Sequence, residues 1–305
     1  MPPSSRQHLR GAVIALAAVT ILSPDALLVR LISVDPWTLI FWRGLLSGCS
    51  ILILCLILMR GNFLKGLFAI GWTGLIAGLV QAAATCFFVN SLRQTAVANT
   101  LVILAAVPLF SAIFSRIFLK ETIRRHTWIA VATGFLGIAL LFVGSLGQGH
   151  LRGDLCAVMA ASLWASYLVM VRRAGDVNMV PAVALGGLFS ALIVWLGGVT
   201  PLAIPAHDWP FILILGLFVL PVSFAMITMG TRLLPAPEVS LILMLETPLG
   251  PLWVWLALGE QPPATTLAAG ALIVSTLVVH TLFAIKLRQN EVRKLLDATT
   301  DAAIS

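Results

Sequence analysis

The sequence predicts an all-α integral membrane protein with ten transmembrane helices in two inverted five-helix repeats. Three observations predict it. Of the 305 residues, 60% are hydrophobic and only 10% charged; the apolar residues fall in runs of bilayer length; and Lys and Arg alternate between the links joining those runs. A soluble domain carries roughly 25% charged residues, so an ordinary cytosolic enzyme and a disordered chain are both excluded. A spanning helix needs about 20 apolar residues, and ten of them leave no room for a soluble catalytic domain.

The first run, 10–31, follows Arg6 and Arg10 and in this resembles a signal peptide. It is too long for one and lacks a small-x-small cleavage site, so it reads as a retained first span. Pro24 within it removes a backbone donor and predicts a kink. The second run is 37–59, and the third, 67–91, carries Gly71, Gly74 and Gly78, which predict close helix approach. The fourth is 96–118 with Pro108 inside it, the fifth 127–146, the sixth 153–171 and the seventh 179–199. The eighth, ninth and tenth are 210–231, 237–258 with Pro248, and 265–286. Links as short as 61–66, 147–152 and 261–264 force neighbouring spans to run antiparallel, because unpaired backbone is not tolerated in hydrocarbon.

Basic residues orient this stack. Arg6, Arg10, Arg60, Lys65, Arg116, Lys120, Arg124, Arg125, Arg172, Arg173, Arg232, Lys286, Arg288, Arg293 and Lys294 fall at one end. Only Arg30, Arg93 and Arg152 fall at the other, and Arg43 lies inside a span. The positive-inside bias makes the basic-rich end cytoplasmic, with both termini there. The net charge of +7 is then a consequence of topology and predicts no nucleic-acid partner. Cys49, Cys55, Cys86 and Cys156 sit in apolar runs without metal-ligand spacing and read as small core residues.

An internal repeat relates the halves. Aligning GAVIALAAVTILSPDALLVR with GDLCAVMAASLWASYLVMVR matches Gly11, Ala15, Ala18, Val29 and Arg30 to Gly153, Ala157, Ala160, Val171 and Arg172. The fourth and ninth spans match independently: PLFSAIFSRIFLKE ends at Glu121 and TPLGPLWVWLALGE at Glu260, an offset of 139 residues that sets Pro108 against Thr247. The boundaries follow: 1–148 is the first five-helix repeat, 149–288 the second, and 289–305 a cytoplasmic C-terminal tail. Five spans per half is an odd number, so the halves are inverted, a geometry that permits alternating access to a central cavity.

FWRGLLSG at 41–48, the 108–121 segment ending LKE, SLWASYLVMVRR at 162–173 and the 247–260 segment ending LGE resemble the drug/metabolite transporter superfamily, in its ten-helix, two-repeat EamA type. The likeness runs from Gly11 to Lys286, and SPDALLVRL is most similar to bacterial aromatic amino acid exporters. The resemblance implies a secondary transporter exporting aromatic or other hydrophobic amino acids from the cytoplasm. A different metabolite such as a nucleotide sugar or drug, and a lipid-handling or structural role, are the alternatives.

Ionisable groups in hydrocarbon are costly and mark function by default. Asp25, beside the Ser23-Pro24 break, could bind a substrate ammonium, carry a proton or form a salt bridge to Arg30 or Arg43. Arg43 could face a substrate carboxylate or simply pair with Asp25. Glu246, next to Thr247-Pro248, is the second candidate for a protonatable group; Glu238, Glu121 and Glu260 read as helix-end charges. Trp164 and Tyr167, three residues apart on one helix face with Ser162 and Ser166 beside them, suit an amphipathic ligand with a ring, or else helix packing. Gln81 and Thr85, with Phe88 further along, form a second polar stripe, and Trp253 and Trp255 read as interface anchors. The expected substrate site is therefore Asp25, Arg43, Gln81, Thr85, Trp164, Tyr167 and Glu246, with gating at Pro24, Pro108 and Pro248. No Walker, HExxH, GxSxG or dinucleotide motif is present, so no enzymatic activity, metal or cofactor is expected. The expected partners are a small-molecule substrate, the bilayer and, permitted by Asp25 and Glu246, protons.

Overall fold

The computed structural model describes residues 5–59, 63–120, 125–145, 150–174, 177–198, 204–233, 242–243, 245–276, 278–279 and 282. Glu121, Glu238 and the 289–305 tail lie outside them. All the regular structure of the described residues is helical. Six helical stretches are long and apolar enough to cross a membrane: Arg10–Leu31, Pro36–Met59, Gly71–Gln94, Val97–Phe118, Leu151–Val171 and Trp209–Ile227. Shorter apolar helices occupy Trp128–Leu140, Val180–Leu196 and Ala264–Thr276. With the helix Glu246–Leu258, helix stands at each of the ten expected positions.

The first span is two helices, α1 (Ser5–Leu22) and α2 (Asp25–Leu31), and α3 (Pro36–Met59) is the second. A short α4 (Phe63–Ala69) leads into α5 (Gly71–Gln94), the third span. The fourth is again two helices, α6 (Val97–Leu104) and α7 (Val107–Phe118), followed by α8 (Arg125–Ser145). The second half holds α9 (Leu151–Arg173), α10 (Val180–Leu196), α11 (Trp209–Leu213), α12 (Leu220–Leu233), α13 (Glu246–Leu258) and α14 (Ala264–Thr276).

Each interruption has a local cause. Pro24 cannot donate to the Thr20 carbonyl four residues back, and the Ser23 hydroxyl donates to that oxygen instead at 2.9 Å. The fourth span does not run unbroken through 96–118 as its apolar pattern suggests. It turns at Ala105 and Ala106, because Pro108 starts a new helix more readily than it continues an old one. The eighth span is not uniform either. A π-helical turn, Ile214–Val219, precedes Pro221, where a widened turn accommodates a residue that cannot donate and whose ring crowds the preceding carbonyl. Gly71 does not mark close packing: it takes φ 53° at the bend between α4 and α5, with no atom within 4 Å of where a Cβ would stand.

The packing respects the inverted repeat. Exchanging the halves maps the second span onto the seventh, and α3 and α10 form one of the two most extensive helix pairs. The same exchange maps the third and sixth spans onto the eighth and first, and both pairs, α5 with α9 and α12 with α1, are packed. Glycine sets the central approach: a Cβ on Gly44 would lie 2.5 Å from the Gly187 carbonyl oxygen, and one on Gly187 would lie 2.7 Å from that of Gly44. Gly78 approaches α10 in the same way, a Cβ there lying 3.2 Å from the Ala182 carbonyl oxygen. Outward-facing Leu58, Trp72, Leu196 and Leu256 are exposed, which suits a surface solvated by acyl chains.

Candidate functional site: charged groups at the helix breaks

The break after Leu22 places Asp25 at the first position of α2, buried at 4% exposure. Arg43, about two turns into α3, meets it with both terminal guanidinium nitrogens: Nη1 donates to Oδ1 at 2.5 Å and Nη2 to Oδ2 at 2.8 Å. The fork geometry is one that only arginine supplies. The Arg43 guanidinium carbon also lies 5.4 Å from the centre of the Phe88 ring, within cation–π range. Of the alternatives open for these residues, the structure brings Asp25 and Arg43 together and sends Arg30 elsewhere, to Glu260 at 3.2 Å.

Glu246 begins α13 immediately after the turn at Leu245 and lies near enough to Asp25 and Arg43 for their charges to act on it. The site therefore joins the broken first span, the second span and the start of α13. Trp253, about two turns further along α13, is more than an interface anchor: its Nε1 donates to Ser23 Oγ at 2.9 Å, fastening the ninth span to the Pro24 break.

Of the aromatic side chains, Phe88 stands beside these charges. Phe88 and Phe224 pack against the cluster that includes Phe41, Leu101 and Val219. Trp164 lies 5.9 Å from Phe224 and 5.5 Å from Tyr167, as their three-residue spacing on one helix face requires. Tyr167 itself is packed into a different cluster with Ile70, Ala77, Met179 and Ala182. Ser162 and Ser166 donate to the carbonyls of Met159 and Ser162 in their own helix, which spends their hydroxyl protons locally. Gln81 is buried, with its methylenes against Gly186 and its Oε1 without a hydrogen-bond partner; Thr85 is half-buried one turn on. The four cysteines are free, and Cys49 is exposed instead of lying in the core.

Polar groups outside the expected set gather at the basic-poor end. Arg30 Nη2 also reaches the Thr95 carbonyl at 3.3 Å, and Glu260 Oε1 accepts from the Val97 amide at 3.3 Å. Arg93 Nη2 donates to the carbonyls of Ile32, at 2.5 Å, and Val34, at 3.0 Å. Two of the three arginines that run against the charge bias are thus held by the fold. Asp208 accepts from the Ser33 amide at 3.0 Å and the Ser33 hydroxyl at 2.7 Å. Burial works against its ionised form, but the Ser33 hydrogen bonds and neighbouring His207 outweigh this and hold its carboxyl below the ordinary value. Asp154, one residue into the sixth apolar run, is fully buried and bonded to Thr95 and Asn99. Its signal was its charge inside that run.

Asp25, Arg43 and Glu246 thus bring charged side chains of both halves within electrostatic reach of one another in a multi-span helical membrane protein. The chain belongs to the EamA-like transporter family, whose model matches residues 9–143 and 151–282. It is 29% identical over 153 residues to the uncharacterized inner membrane transporter YedA of Escherichia coli K12, covering 50% of each chain. It thus spans about half the length of that relative. It is 23% identical over 205 residues to a riboflavin transporter of Brucella anthropi, covering 64% of this chain and 71% of that one. A crystal structure at 21% identity superposes with a TM-score of 0.66 over 90% of this chain and 98% of that one, a likeness in fold.

Proposed function

We propose that the protein is a secondary carrier exporting small amphipathic metabolites, aromatic or other hydrophobic amino acids first among them, by alternating access across a bacterial inner membrane. Both termini are cytoplasmic in this reading, which the distribution of basic residues supports. The observation that carries it is the Asp25–Arg43 pair within electrostatic reach of Glu246, with the Phe88 ring over the guanidinium. A zwitterion with a ring meets complementary groups there: carboxylates for its ammonium, a guanidinium for its carboxylate and aromatic faces for its side chain. Substrate entry exchanges one ion pair for two, so Asp25 and Arg43 each keep a counter-charge in the occupied site.

Pro24, Pro108 and Pro248 stand at or next to the helix breaks and serve as the flexing points. The name of the Brucella relative favours a second substrate, riboflavin, which is also a flat ring with a polar tail. The test is flux into liposomes holding the purified protein, with radiolabelled phenylalanine, tryptophan, alanine, riboflavin and a nucleotide sugar offered in turn, with and without a pH gradient. Saturable, mutually competing phenylalanine and tryptophan flux supports the reading. Riboflavin flux without amino acid flux replaces the substrate, and flux that never saturates removes the carrier.

A further inference from the structure

Asp154 is buried at 0% exposure in the first turn of α9, yet only one of its carboxylate oxygens is satisfied. Oδ1 accepts from Thr95 Oγ1 at 2.7 Å and Asn99 Nδ2 at 3.3 Å, whereas Oδ2 has no hydrogen-bond partner. Thr266 Oγ1 donates to Asn99 Oδ1, so α14 closes the cluster. Gly153 makes the approach possible: a Cβ there would lie 2.7 Å from the Thr95 nitrogen.

The surrounding charges are turned elsewhere. Arg30 serves Glu260 and the Thr95 carbonyl, and Arg93 serves the carbonyls of Ile32 and Val34. Arg152 is exposed, and the His150 ring presents a buried Nδ1 without a partner. The described parts of α6 and α14, and the half of α8 nearest this end, carry no titratable residue. Among the described residues Asp154 has no cationic partner, and a buried carboxylate without a counter-charge is expensive.

We propose that Asp154 is a binding site for one monovalent cation, Na+ or a proton, formed between the two halves at the basic-poor end. Thr95 and Asn99 come from the first half, Asp154 and Thr266 from the second. Thr95 Oγ1 accepts from Asn99 Nδ2 at 3.2 Å and keeps a lone pair, as does the Thr266 hydroxyl, and hard cations take oxygen ligands. Because the site exists only while the halves meet, its occupancy favours closure of this end. The inference deepens the carrier reading, and rests on it, by naming a coupling ion.

The test uses the full chain in lipid nanodiscs. Equilibrium binding of radioactive Na+ is measured at fixed pH against choline, for the wild type, Asp154→Asn and Thr266→Val. In parallel, infrared spectra of Glu246→Gln and of Glu246→Gln with Asp154→Asn are compared at neutral pH for a protonated-carboxyl band. Saturable Na+ binding weakened at least about 10-fold in both single variants supports the sodium form. A band present in Glu246→Gln and lost when Asn also replaces Asp154 supports the proton form. Absence of Na+ binding in the wild type together with absence of the band in Glu246→Gln overturns the proposal, whether or not Asp154→Asn folds. These measurements need no transported metabolite, so their failure leaves the carrier reading standing, and failed flux leaves them intact.

Discussion

Lys120 and Gly259, 139 residues apart, occupy the same left-handed backbone conformation at the same structural position, with φ 55° and φ 71°. Lys120 follows α7 and its capping residue Leu119, and Gly259 caps α13. The helices themselves begin at Val107 and Glu246, the same offset apart. The repeat is therefore preserved in backbone conformation where the side chains have diverged. The left-handed region costs a residue with a Cβ roughly 1–2 kcal/mol. Replacing Lys120 with Gly should stabilise the protein by up to about 1 kcal/mol, and Gly259→Ala should destabilise it by a similar amount. Thermal unfolding in detergent checks both, and no atom lies within 4 Å of a Cβ built on Gly259, so the effect isolates backbone strain.

The Asp25–Arg43 pair is buried on both sides, at 4% and 7% exposure. Removing one partner strands the other's charge, so Asp25→Asn and Arg43→Gln should each destabilise by about 3–5 kcal/mol, while the double variant loses much less than the sum. Arg43→Lys should not restore the wild-type value, because an ammonium cannot reproduce the two parallel hydrogen bonds. A double-mutant cycle read by denaturation midpoint decides it; strict additivity would mean that the pair contributes nothing as a pair.

Ser23 serves two partners, donating to the Thr20 carbonyl and accepting from Trp253 Nε1, both at 2.9 Å. Ser23→Ala leaves the Thr20 carbonyl and Trp253 Nε1 without these partners in part-buried contacts, at about 0.5–1.5 kcal/mol each. Trp253→Phe should recover only the donor's share, so it should be milder than Ser23→Ala. Equal losses in the two variants would show that the Thr20 carbonyl finds another partner.

Asp208 sets a pH dependence at the basic-poor end. Its folded-state carboxyl is held below the ordinary value, so the stability it contributes is complete above the unfolded value and is lost as pH falls through the folded one. The wild type should therefore lose stability on acidification below the ordinary carboxylate range, and Asp208→Asn should be less stable at neutral pH with a flatter acid limb. Thermal midpoints taken from pH 7 downward measure the difference.

At the crossing of α3 and α10, a Cβ on Gly44 would meet Ser190 Oγ at 2.1 Å and the Gly187 carbonyl oxygen at 2.5 Å. The hydroxyl can rotate but the carbonyl cannot move without the helix. Gly44→Ala should cost about 1–3 kcal/mol through forced separation of the two helices, and Ser190→Ala in the same chain should recover little of it. Recovery to the wild-type midpoint would place the clash on the side chain instead.

Periodicity and punctuation in the sequence determine the positions of the spans, the break at Pro24 and the depth of Arg43, because each depends on residues within one turn or one bilayer thickness. The offset of 139 residues likewise locates the second break of the repeat, although the sequence places the fourth-span proline inside a continuous run. The tertiary structure alone decides which of several open pairings is made. Arg43 takes Asp25 while Arg30 takes Glu260, 230 residues away. It also decides that Trp253 faces Ser23, and that Asp154 meets Thr95 across 59 residues. The reason is physical: a charge inside hydrocarbon announces from the sequence that it needs a partner, but the partner is fixed by which helices touch, and that is settled by glycine contacts such as Gly44 on Gly187, whose complementarity has no local signature.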